Sequence, residues 1–358
     1  MPPAYVALEG GHVIEGRGRS PGTARGELVF TTAYTGYEES LTDPSYEEQI
    51  LTFSYPLIGN YGVREERFES DRVHPRAVLA RELTDDVADW LRREGVPAVD
   101  RLDTREIVTS VRDGGAMGCG IAVGETATPE DALAELDRAV PMSAHTEIGA
   151  QVSVDTVEIH GAAADGSTVA LVDCGTKGSI VDSLVARGAT VHVLPHDATP
   201  ADVEAIDPDV LFVSNGPGDP ENYTAAIELV RAYVDDVPLA GICLGQQIVS
   251  LALGGTTAKM AFGHRGVNQP VVDCETGQVV MTTQNHGYTV DEPGPRLAVS
   301  HRNVNDDTPE GLEGTDCQVI TRQYHPEAHP GPHDTLDFFD DVLAMADVRP
   351  RQAVSADD

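Results

Sequence analysis

The chain contains 358 residues, of which 59 are Asp or Glu and 24 are Lys or Arg, so its formal net charge is −35 at pH 7. This balance argues strongly against nucleic-acid binding through a basic surface. Hydrophobic residues make up 41% of the chain, and we therefore expect a packed core rather than a disordered acidic chain.

The cationic residues are almost all arginine, because Lys177 and Lys259 are the only two lysines. Scattered carboxylates with few lysines are typical of proteins from salt-loving organisms, where solvated acids keep a protein soluble. An acidic face for a basic partner would require clustering of the acids, which the sequence does not show.

The length predicts about two domains, at roughly 150 residues for each. We expect a cytoplasmic protein, because neither a membrane-spanning apolar run nor a signal peptide is visible. Five cysteines are widely spaced and lack a C-x-x-C pair, which favours free thiols in a reducing compartment. They are Cys119, Cys174, Cys243, Cys274 and Cys317.

The first part of the chain is predicted to be strand-rich, with a few helices. The predicted strands are at 5–8, 27–32 and 49–54, and helices begin at Asp103 and Thr128, which are capping residues. We assign residues 1–150 to an N-terminal α/β domain and 151–167 to a linker.

After residue 168 the pattern changes to apolar strands separated by helices of about ten residues. The predicted strands are at 169–173, 190–194, 210–213, 238–242 and 318–323. Such an order predicts an open, doubly wound parallel sheet. We assign residues 168–348 to this α/β domain and 349–358 to a polar tail.

The turn from Gly241 to Gly245 has the G-x-C-x-G form of a nucleophile elbow. Its glycines permit a sharp turn with Cys243 at the tip, and the following helix N-terminus favours the thiolate. The amide of Leu244 would then face a developing oxyanion. The alternative is that Cys243 is merely a small core residue at a tight turn.

A nucleophilic thiol requires a base, and His325 follows a predicted strand end, as the elbow does. Glu327 lies two residues further on and could orient the imidazole. Taken alone, His325 could equally be an ordinary loop histidine. The regular spacing of His325, His329 and His333 also suggests metal ligands, but the intervening prolines prevent a helix, and we predict no metal.

The remaining motifs do not indicate a metal site or a nucleotide-binding site. His286 is predicted to lie in a polar turn, where it would shape a pocket rather than bind a metal. No P-loop and no complete dinucleotide fingerprint occur. We therefore expect no cofactor in this chain.

Several longer motifs extend this pattern and resemble one family. They are 214–220 (SNGPGDP), 262–270 (FGHRGVNQP), 284–288 (QNHGY), 325–334 (HPEAHPGPHD), 35–46 (TGYEESLTDPSY) and 55–62 (YPLIGNYG). The Cys243 elbow with His325 and Glu327 resembles the class I glutamine amidotransferases. The four C-terminal motifs, together with the N-terminal motifs at 35–46 and 55–62, resemble more narrowly the small subunit of carbamoyl-phosphate synthase.

The resemblance implies a Cys243, His325 and Glu327 triad that hydrolyses glutamine through a glutamyl thioester. It also implies that the amides of Gly218 and Leu244 bind the oxyanion. The glutamine pocket carried over from the family comprises Ser45, Gly216, Gly218, Leu244, Gln247, Asn285, Gly287 and Tyr288. Ser45 would reach this pocket from the N-terminal domain.

The resemblance further implies a large-subunit partner that binds ATP with Mg2+ and converts ammonia and bicarbonate into carbamoyl phosphate. The product would serve arginine and pyrimidine biosynthesis. Gln246 and Gln269 depart from the family, which commonly has His at both positions.

Three alternatives remain at this stage. A glutaminase serving guanylate or chorismate synthesis would not need the first 150 residues. A non-catalytic regulatory subunit would have lost Cys243, His325 or Glu327, and all three are present. A stand-alone cysteine hydrolase would bind no synthetase.

Overall fold

The computed structural model describes residues 2–162 and 166–348, so the predicted polar tail at 349–358 lies outside the described residues. In the N-terminal part, strands β1 to β9 include a closed barrel with the order β1-β2-β8-β6-β4-β3-β9. The strands are β1 (Pro3–Leu8), β2 (His12–Ser20), β3 (Gly22–Thr31), β4 (Gln49–Phe53), β5 (Leu57–Ile58), β6 (Ala77–Leu79), β7 (Glu82–Leu83), β8 (Ala98–Asp100) and β9 (Met117–Val123).

The barrel closes because β1 pairs with both β2 and β9 in antiparallel register. The inward-facing side chains meet in one apolar cluster, and the alternate residues of β4, β6 and β8 are buried in a second cluster on the other side of these strands. Val6, Leu28, Ile50 and Ile121 are each fully buried in this cluster. The strands predicted at 5–8, 27–32 and 49–54 correspond to β1, β3 and β4.

Five helices accompany the barrel. They are α1 (Tyr37–Leu41), α2 (Asp85–Arg93), α3 (Thr104–Gly114), α4 (Pro129–Leu136) and α5 (Ile148–Val152). Asp103 caps α3 by accepting hydrogen bonds from the amides of the second and third helical residues. Thr128 and Asp131 form a capping box at the start of α4.

Among the described residues, ten strands form the C-terminal sheet, in the order β10-β12-β11-β13-β14-β19-β18-β17-β15-β16. The strands are β10 (Glu158–His160), β11 (Thr168–Asp173), β12 (Thr190–Pro195), β13 (Val210–Val213), β14 (Leu239–Ile242), β15 (Thr256–Asp273), β16 (Val279–Glu292), β17 (Leu297–Asn303), β18 (Pro309–Gly314) and β19 (Val319–Arg322). The helices are α6 (Gly178–Val185), α7 (Pro200–Ile206), α8 (Thr224–Tyr233), α9 (Leu244–Ala252) and α10 (Phe338–Val348).

The centre of this sheet is doubly wound, as predicted. Strands β12, β11, β13, β14 and β19 are parallel to their neighbours. Helices α8 and α9 pack on one face, where Ala170 and Val172 point. Helices α6 and α10 pack on the other face, where Val169 and Leu171 point. The flanking strands β10 and β15 to β18 pair in antiparallel register, which the sequence pattern did not predict.

The segment predicted as a linker, 151–167, includes the end of α5 and the strand β10. This strand pairs with β12 at one edge of the C-terminal sheet. Residues 163–165 lie outside the described residues, and the domain limits stay a prediction. None of the helices in the described ranges has both the length and the apolar character needed to span a bilayer.

One buried carboxylate ties together the β2–β8 junction of the barrel. Asp100 at the end of β8 is fully buried and accepts hydrogen bonds from Arg17 at 2.6 Å and Arg19 at 2.8 Å. Burial opposes ionisation, but the two guanidinium groups and the amide of Leu83 outweigh it and lower the pKa of Asp100.

Replacing Asp100 with Asn keeps the side-chain shape but removes the charge that Arg17 and Arg19 share. We expect the free energy of unfolding at neutral pH to fall by about 3–5 kcal/mol, measured by urea unfolding in molar salt.

The pKa of Asp100 lies lower in the folded state than the unfolded value of about 3.9. The extra stability of wild type over Asp100→Asn is therefore fully present at pH values above the pKa of the unfolded state. It is lost as the pH falls through the pKa of the folded state. A stability difference that did not shrink on acidification would contradict the ion-pair origin.

Candidate active site

Cys243 occupies the sharp turn between β14 and α9, with the left-handed φ of 54°. The two glycines of the elbow are required by close packing. A Cβ at Gly245 would lie 2.1 Å from the carbonyl oxygen of Val213, and one at Gly241 would lie 2.8 Å from Gly245. The predicted elbow is therefore present, with Cys243 at the N-terminus of a helix.

His325 lies just beyond β19, next to the elbow, because β14 and β19 are neighbouring parallel strands. Its amide donates to the carbonyl of Thr283 at 2.8 Å, which fixes the loop. The ring Nδ1 faces Glu327 Oε1 at 2.6 Å. Among the described residues, Nε2 has no hydrogen-bond partner, so it is available to a reacting group.

His325 and Glu327 are each only 1% exposed, and their charges stabilise one another. Burial opposes protonation of His325, but the Glu327 carboxylate and the neighbouring Cys243 outweigh it and raise the pKa of His325 to about 10. Burial would raise the pKa of Glu327, but Lys177 and His325 lower it well below its usual range. At neutral pH the pair is therefore an imidazolium and a carboxylate.

Lys177, which precedes α6, is the third charged group of this site and is only 2% exposed. Its ammonium donates to Glu327 Oε1 at 2.8 Å and to the carbonyl of His329 at 2.5 Å. Burial disfavours its charge, but Glu327 and Glu69 outweigh burial and raise the pKa of Lys177. Lys177 thus holds Glu327 in place from the side opposite His325.

Glu69 brings the N-terminal domain to the same ammonium, at 3.8 Å. Its other carboxylate oxygen accepts from the amide and the hydroxyl of Ser179 at 3.1 and 2.7 Å. Burial raises the pKa of Glu69 to about 7, against the opposing effect of Lys177. The charged network therefore spans both domains.

A pocket beside Cys243 brings together every residue predicted to bind glutamine. The predicted residues in its lining are Ser45, Gly216, Gly218, Leu244, Gln247, Asn285, Gly287 and Tyr288. His325 lines an adjoining cavity with Lys177, and Asn285 belongs to both. The sequence motifs thus converge on one place, although they are far apart in the chain.

Side chains from the two domains hold the pocket together by direct hydrogen bonds. Asn215 donates to Ser45 Oγ at 3.0 Å, and Asn285 donates to Asp43 Oδ2 at 2.8 Å. Asp43 also accepts from the amide of Ser45 at 2.9 Å, which shapes the turn that enters the pocket. The pocket therefore exists only at the interface of the two domains.

The sequence reasoning missed part of the pocket and the cation behind the triad. The further lining residues are Glu27, Gln49, Met142, Pro217, Arg265 and His286. One signal was available, because the only two lysines both lie here: Lys177 behind Glu327, and Lys259 paired with Glu27. The placement of His286 in a polar turn was wrong, since it lies buried in the middle of β16.

Gln246 occupies the position after the elbow glycine and is fully buried, outside the pocket lining. Its amide donates to the carbonyl of Pro309 at 3.2 Å and accepts from the hydroxyl of Thr321 at 3.1 Å. This departure from the family therefore supports α9 from behind and leaves the triad untouched.

The three histidines considered above as metal ligands, His325, His329 and His333, contact other side chains. His325 faces Glu327, while the rings of His329 and His333 stack with their centroids 6.3 Å apart. Elsewhere His264, His286 and Glu310 have ligand atoms within 4.8 Å of one another.

This second cluster is already occupied by hydrogen bonds. Asp306 faces His264 Nε2 at 2.8 Å, and the amide of Asn303 donates to Glu310 at 3.2 Å. His286 Nδ1 faces the carbonyl of Tyr288 at 2.8 Å. The cluster thus supports β16, the strand that carries Asn285 into the pocket.

Comparison with known proteins gives consistent matches. A model of class-I glutamine amidotransferases matches residues 170–345. A model of the carbamoyl-phosphate synthase small chain, CPSase domain, matches residues 6–121.

Individual relatives extend these matches over the chain. A carbamoyl phosphate synthase small chain of Halobacterium salinarum is 70% identical, over 97% of this chain and 98% of that protein. One of Methanosarcina mazei is 43% identical, over 94% and 96%. Among solved structures, a glutamine amidotransferase from Thermotoga maritima has a TM-score of 0.39 and 16% identity, over 45% of this chain and 76% of that chain.

Replacing Lys177 with Met would remove the buried cation that Glu327 and Glu69 share, and Glu327 would keep only the imidazolium of His325 as a counterion. We expect a loss of about 3–5 kcal/mol in the free energy of unfolding, measured by denaturant unfolding in molar salt. Adding Glu69→Gln to this variant should change little, because loss of Lys177 raises the pKa of Glu69 further and leaves the side chain neutral at pH 7.

Lys259→Met provides the matched control. The Lys259 side chain is about a third exposed beside Glu27, so its loss should cost less than about 1 kcal/mol. Equal effects of the two lysine substitutions would contradict the role given to Lys177.

Proposed function

The chain belongs to the family of carbamoyl phosphate synthase small chains, the glutamine amidotransferase component of that ligase, and we propose that Cys243, His325 and Glu327 carry out its glutamine hydrolysis. The observation that carries this assignment is the buried His325–Glu327 pair, whose free Nε2 lies next to the Cys243 elbow.

In the first step, the Cys243 sulfur, whose proton is held by the protonated His325, attacks the side-chain amide carbon of glutamine. The carbonyl oxygen gains negative charge as the tetrahedral intermediate forms. As the first residue of α9, Leu244 has an amide that no helical carbonyl accepts. This amide and that of Gly218, which lines the pocket opposite, are the proposed oxyanion donors, each contributing about 2.7–4 kcal/mol.

In the second step, the carbon–nitrogen bond breaks and ammonia leaves. The raised pKa of His325, about 10, keeps its imidazole protonated at neutral pH. His325 therefore has a proton to give to the departing nitrogen, and a glutamyl thioester remains on Cys243.

In the third step, the now neutral His325 removes a proton from water, which attacks the thioester carbon. The bond to sulfur breaks and glutamate is released. The proton taken from water stays on His325, so Cys243 and His325 are back in the state from which the first step began. Glu327 keeps the ring orientation throughout, because Lys177 holds the carboxylate from behind.

The ammonia passes to the large subunit, which uses ATP and bicarbonate to make carbamoyl phosphate for arginine and pyrimidine biosynthesis. We place ATP and Mg2+ in that partner and no cofactor in this chain. The match over both domains argues against a guanylate or chorismate glutaminase, since the first domain contributes Ser45 to the pocket.

Replacing Cys243 with Ala should reduce glutamine-dependent carbamoyl phosphate synthesis by about 10⁴-fold or more, because the nucleophile is lost. The assay uses the complex with the large subunit, ATP and bicarbonate. Synthesis from added ammonia should persist, which would show that the complex is intact.

Cys274→Ala is the control, because Cys274 is exposed and lies outside the pocket. Its activity should equal that of the wild type. Full glutamine-dependent activity in Cys243→Ala would refute the proposed mechanism.

The charge of −35 leads to a further expectation about assembly. The Halobacterium salinarum relative supports the interpretation of this charge as an adaptation to salt. If the large subunit is similarly acidic, repulsion is screened in molar salt, where the Debye length is about 3 Å, but acts over about 10 Å at 0.1 M. We expect complex formation, measured by analytical ultracentrifugation, to weaken as salt is diluted. Tighter binding at low salt would contradict this expectation.

A further inference from the structure

Arg265 lies in β15, paired with Asn285 of β16, and lines the pocket that contains Cys243. The residue is only 4% exposed. Its carbonyl accepts hydrogen bonds from the amide and the hydroxyl of Thr32, both at 3.1 Å. The N-terminal domain therefore holds the backbone of Arg265 in place at the domain interface.

The guanidinium of Arg265 has few partners. Its Nη1 donates to the carbonyl of Phe262 at 2.7 Å. Its Nε is buried without a hydrogen-bond partner, and no carboxylate of the described residues forms an ion pair with it. Burial is the main influence on this group and lowers the pKa of Arg265.

This situation is unusual within the molecule. The other buried cations have carboxylate partners: Arg19 pairs with Asp100 at 2.8 Å, Lys177 with Glu327 at 2.8 Å and Arg322 with a glutamate at 3.6 Å. A buried charge without a counterion is costly. In a chain with 59 acidic and 24 basic residues, an unpaired buried arginine in a pocket indicates a site for an anionic ligand group.

The guanidinium is closely packed against two glycines. A Cβ at Gly263 would lie 2.6 Å from Nη1, and one at Gly287 would lie 3.0 Å from Nη2. Both glycines therefore make room for the planar group. Gly287 itself lines the pocket, so Nη2 lies at the pocket wall.

We propose that Arg265 binds the α-carboxylate of the substrate glutamine. The proposal rests on the function proposed above and assigns a specificity residue beyond the family's pocket. A guanidinium presents donors in a fork that matches a carboxylate. The α-carboxylate would thus give Arg265 a direct ion-pair partner, in addition to the more distant Glu27 carboxylate of the same pocket.

The same pocket carries acceptors suited to the α-ammonium group of glutamine. Glu27 and Gln49, both from the N-terminal domain, line the pocket, and Gln49 Oε1 is buried without a hydrogen-bond partner. A cation and these acceptors around one cavity match the two charges of an α-amino acid. This arrangement would select a free amino acid over a peptide-linked glutamine.

The test compares wild type with Arg265→Met and Arg265→Lys in the complex with the large subunit, ATP and bicarbonate. We expect the KM for L-glutamine to rise by about 10- to 150-fold in Arg265→Met, as for loss of a hydrogen bond to a charged group. Little change in kcat is expected, because the carboxylate contact is equal in ground and transition states. Arg265→Lys should lie in between.

Truncated substrates separate this role from a structural one. 4-Aminobutanamide lacks the α-carboxylate, and glutaramic acid retains it but lacks the α-amino group. The preference of wild type for L-glutamine over 4-aminobutanamide, as kcat/KM, should fall by the same factor in Arg265→Met. The preference for L-glutamine over glutaramic acid should stay unchanged.

Arg302→Met is the matched control, because Arg302 lies on β17 outside the pocket and contacts Asp307. It should leave KM and both preferences unchanged. Thermal unfolding without glutamine should show Arg265→Met to be at least as stable as wild type, since the cost of a buried charge without an ion-pair partner offsets the lost hydrogen bond to Phe262.

Failure of the proposed function and failure of the Arg265 assignment would give different results. If wild type did not hydrolyse glutamine at all, the proposed function would fall. If wild type hydrolysed glutamine but Arg265→Met kept its KM and its preference, or lost kcat instead, the assignment of Arg265 would be wrong.

Discussion

The site depends on one buried ion network, formed by Lys177 with Glu327 and Glu69. The buried charges of Lys177 and Glu327 would be strongly unfavourable separately, and they are tolerated because each is the counterion of the other. Glu69, whose pKa burial raises to about 7, is partly ionised at neutral pH and lies beside the same ammonium. The network orients His325 through Glu327 and also joins the two domains through Glu69. The orientation of His325 and the packing of the two domains therefore have the same electrostatic basis.

The position of the pocket explains why the first domain belongs to the functional unit. The elbow and His325 come from parallel strands of the C-terminal sheet, whose carboxyl ends meet at one edge. The opposite wall comes from the barrel domain, with Ser45 and Glu27. In this acidic chain Arg265 lines the pocket, Lys177 lines the adjoining cavity, and Lys259 pairs with Glu27 of the pocket lining.

The elbow and the central strands were predictable because they depend on local rules. Gly241 and Gly245 are needed wherever a strand turns sharply into a helix, and short apolar runs between helices indicate parallel strands. The hairpin of β15 and β16 was not predicted, and His286 was misplaced with it. The burial of its residues follows no simple period, because register shifts interrupt the pairing of the two strands and residues of both line the pocket.

By itself, the sequence determined the fold class, the elbow and the set of motifs, because backbone geometry and the period of hydrophobic residues are local properties. Only the tertiary structure decided which charges meet. Lys177 and Glu327 are 150 positions apart in the chain, and no local rule relates them. The same holds for Arg265, whose lack of an ion-pair partner among the described residues becomes evident only once its neighbours are placed. Pairing of buried charges is a property of packing, which sequence spacing does not encode.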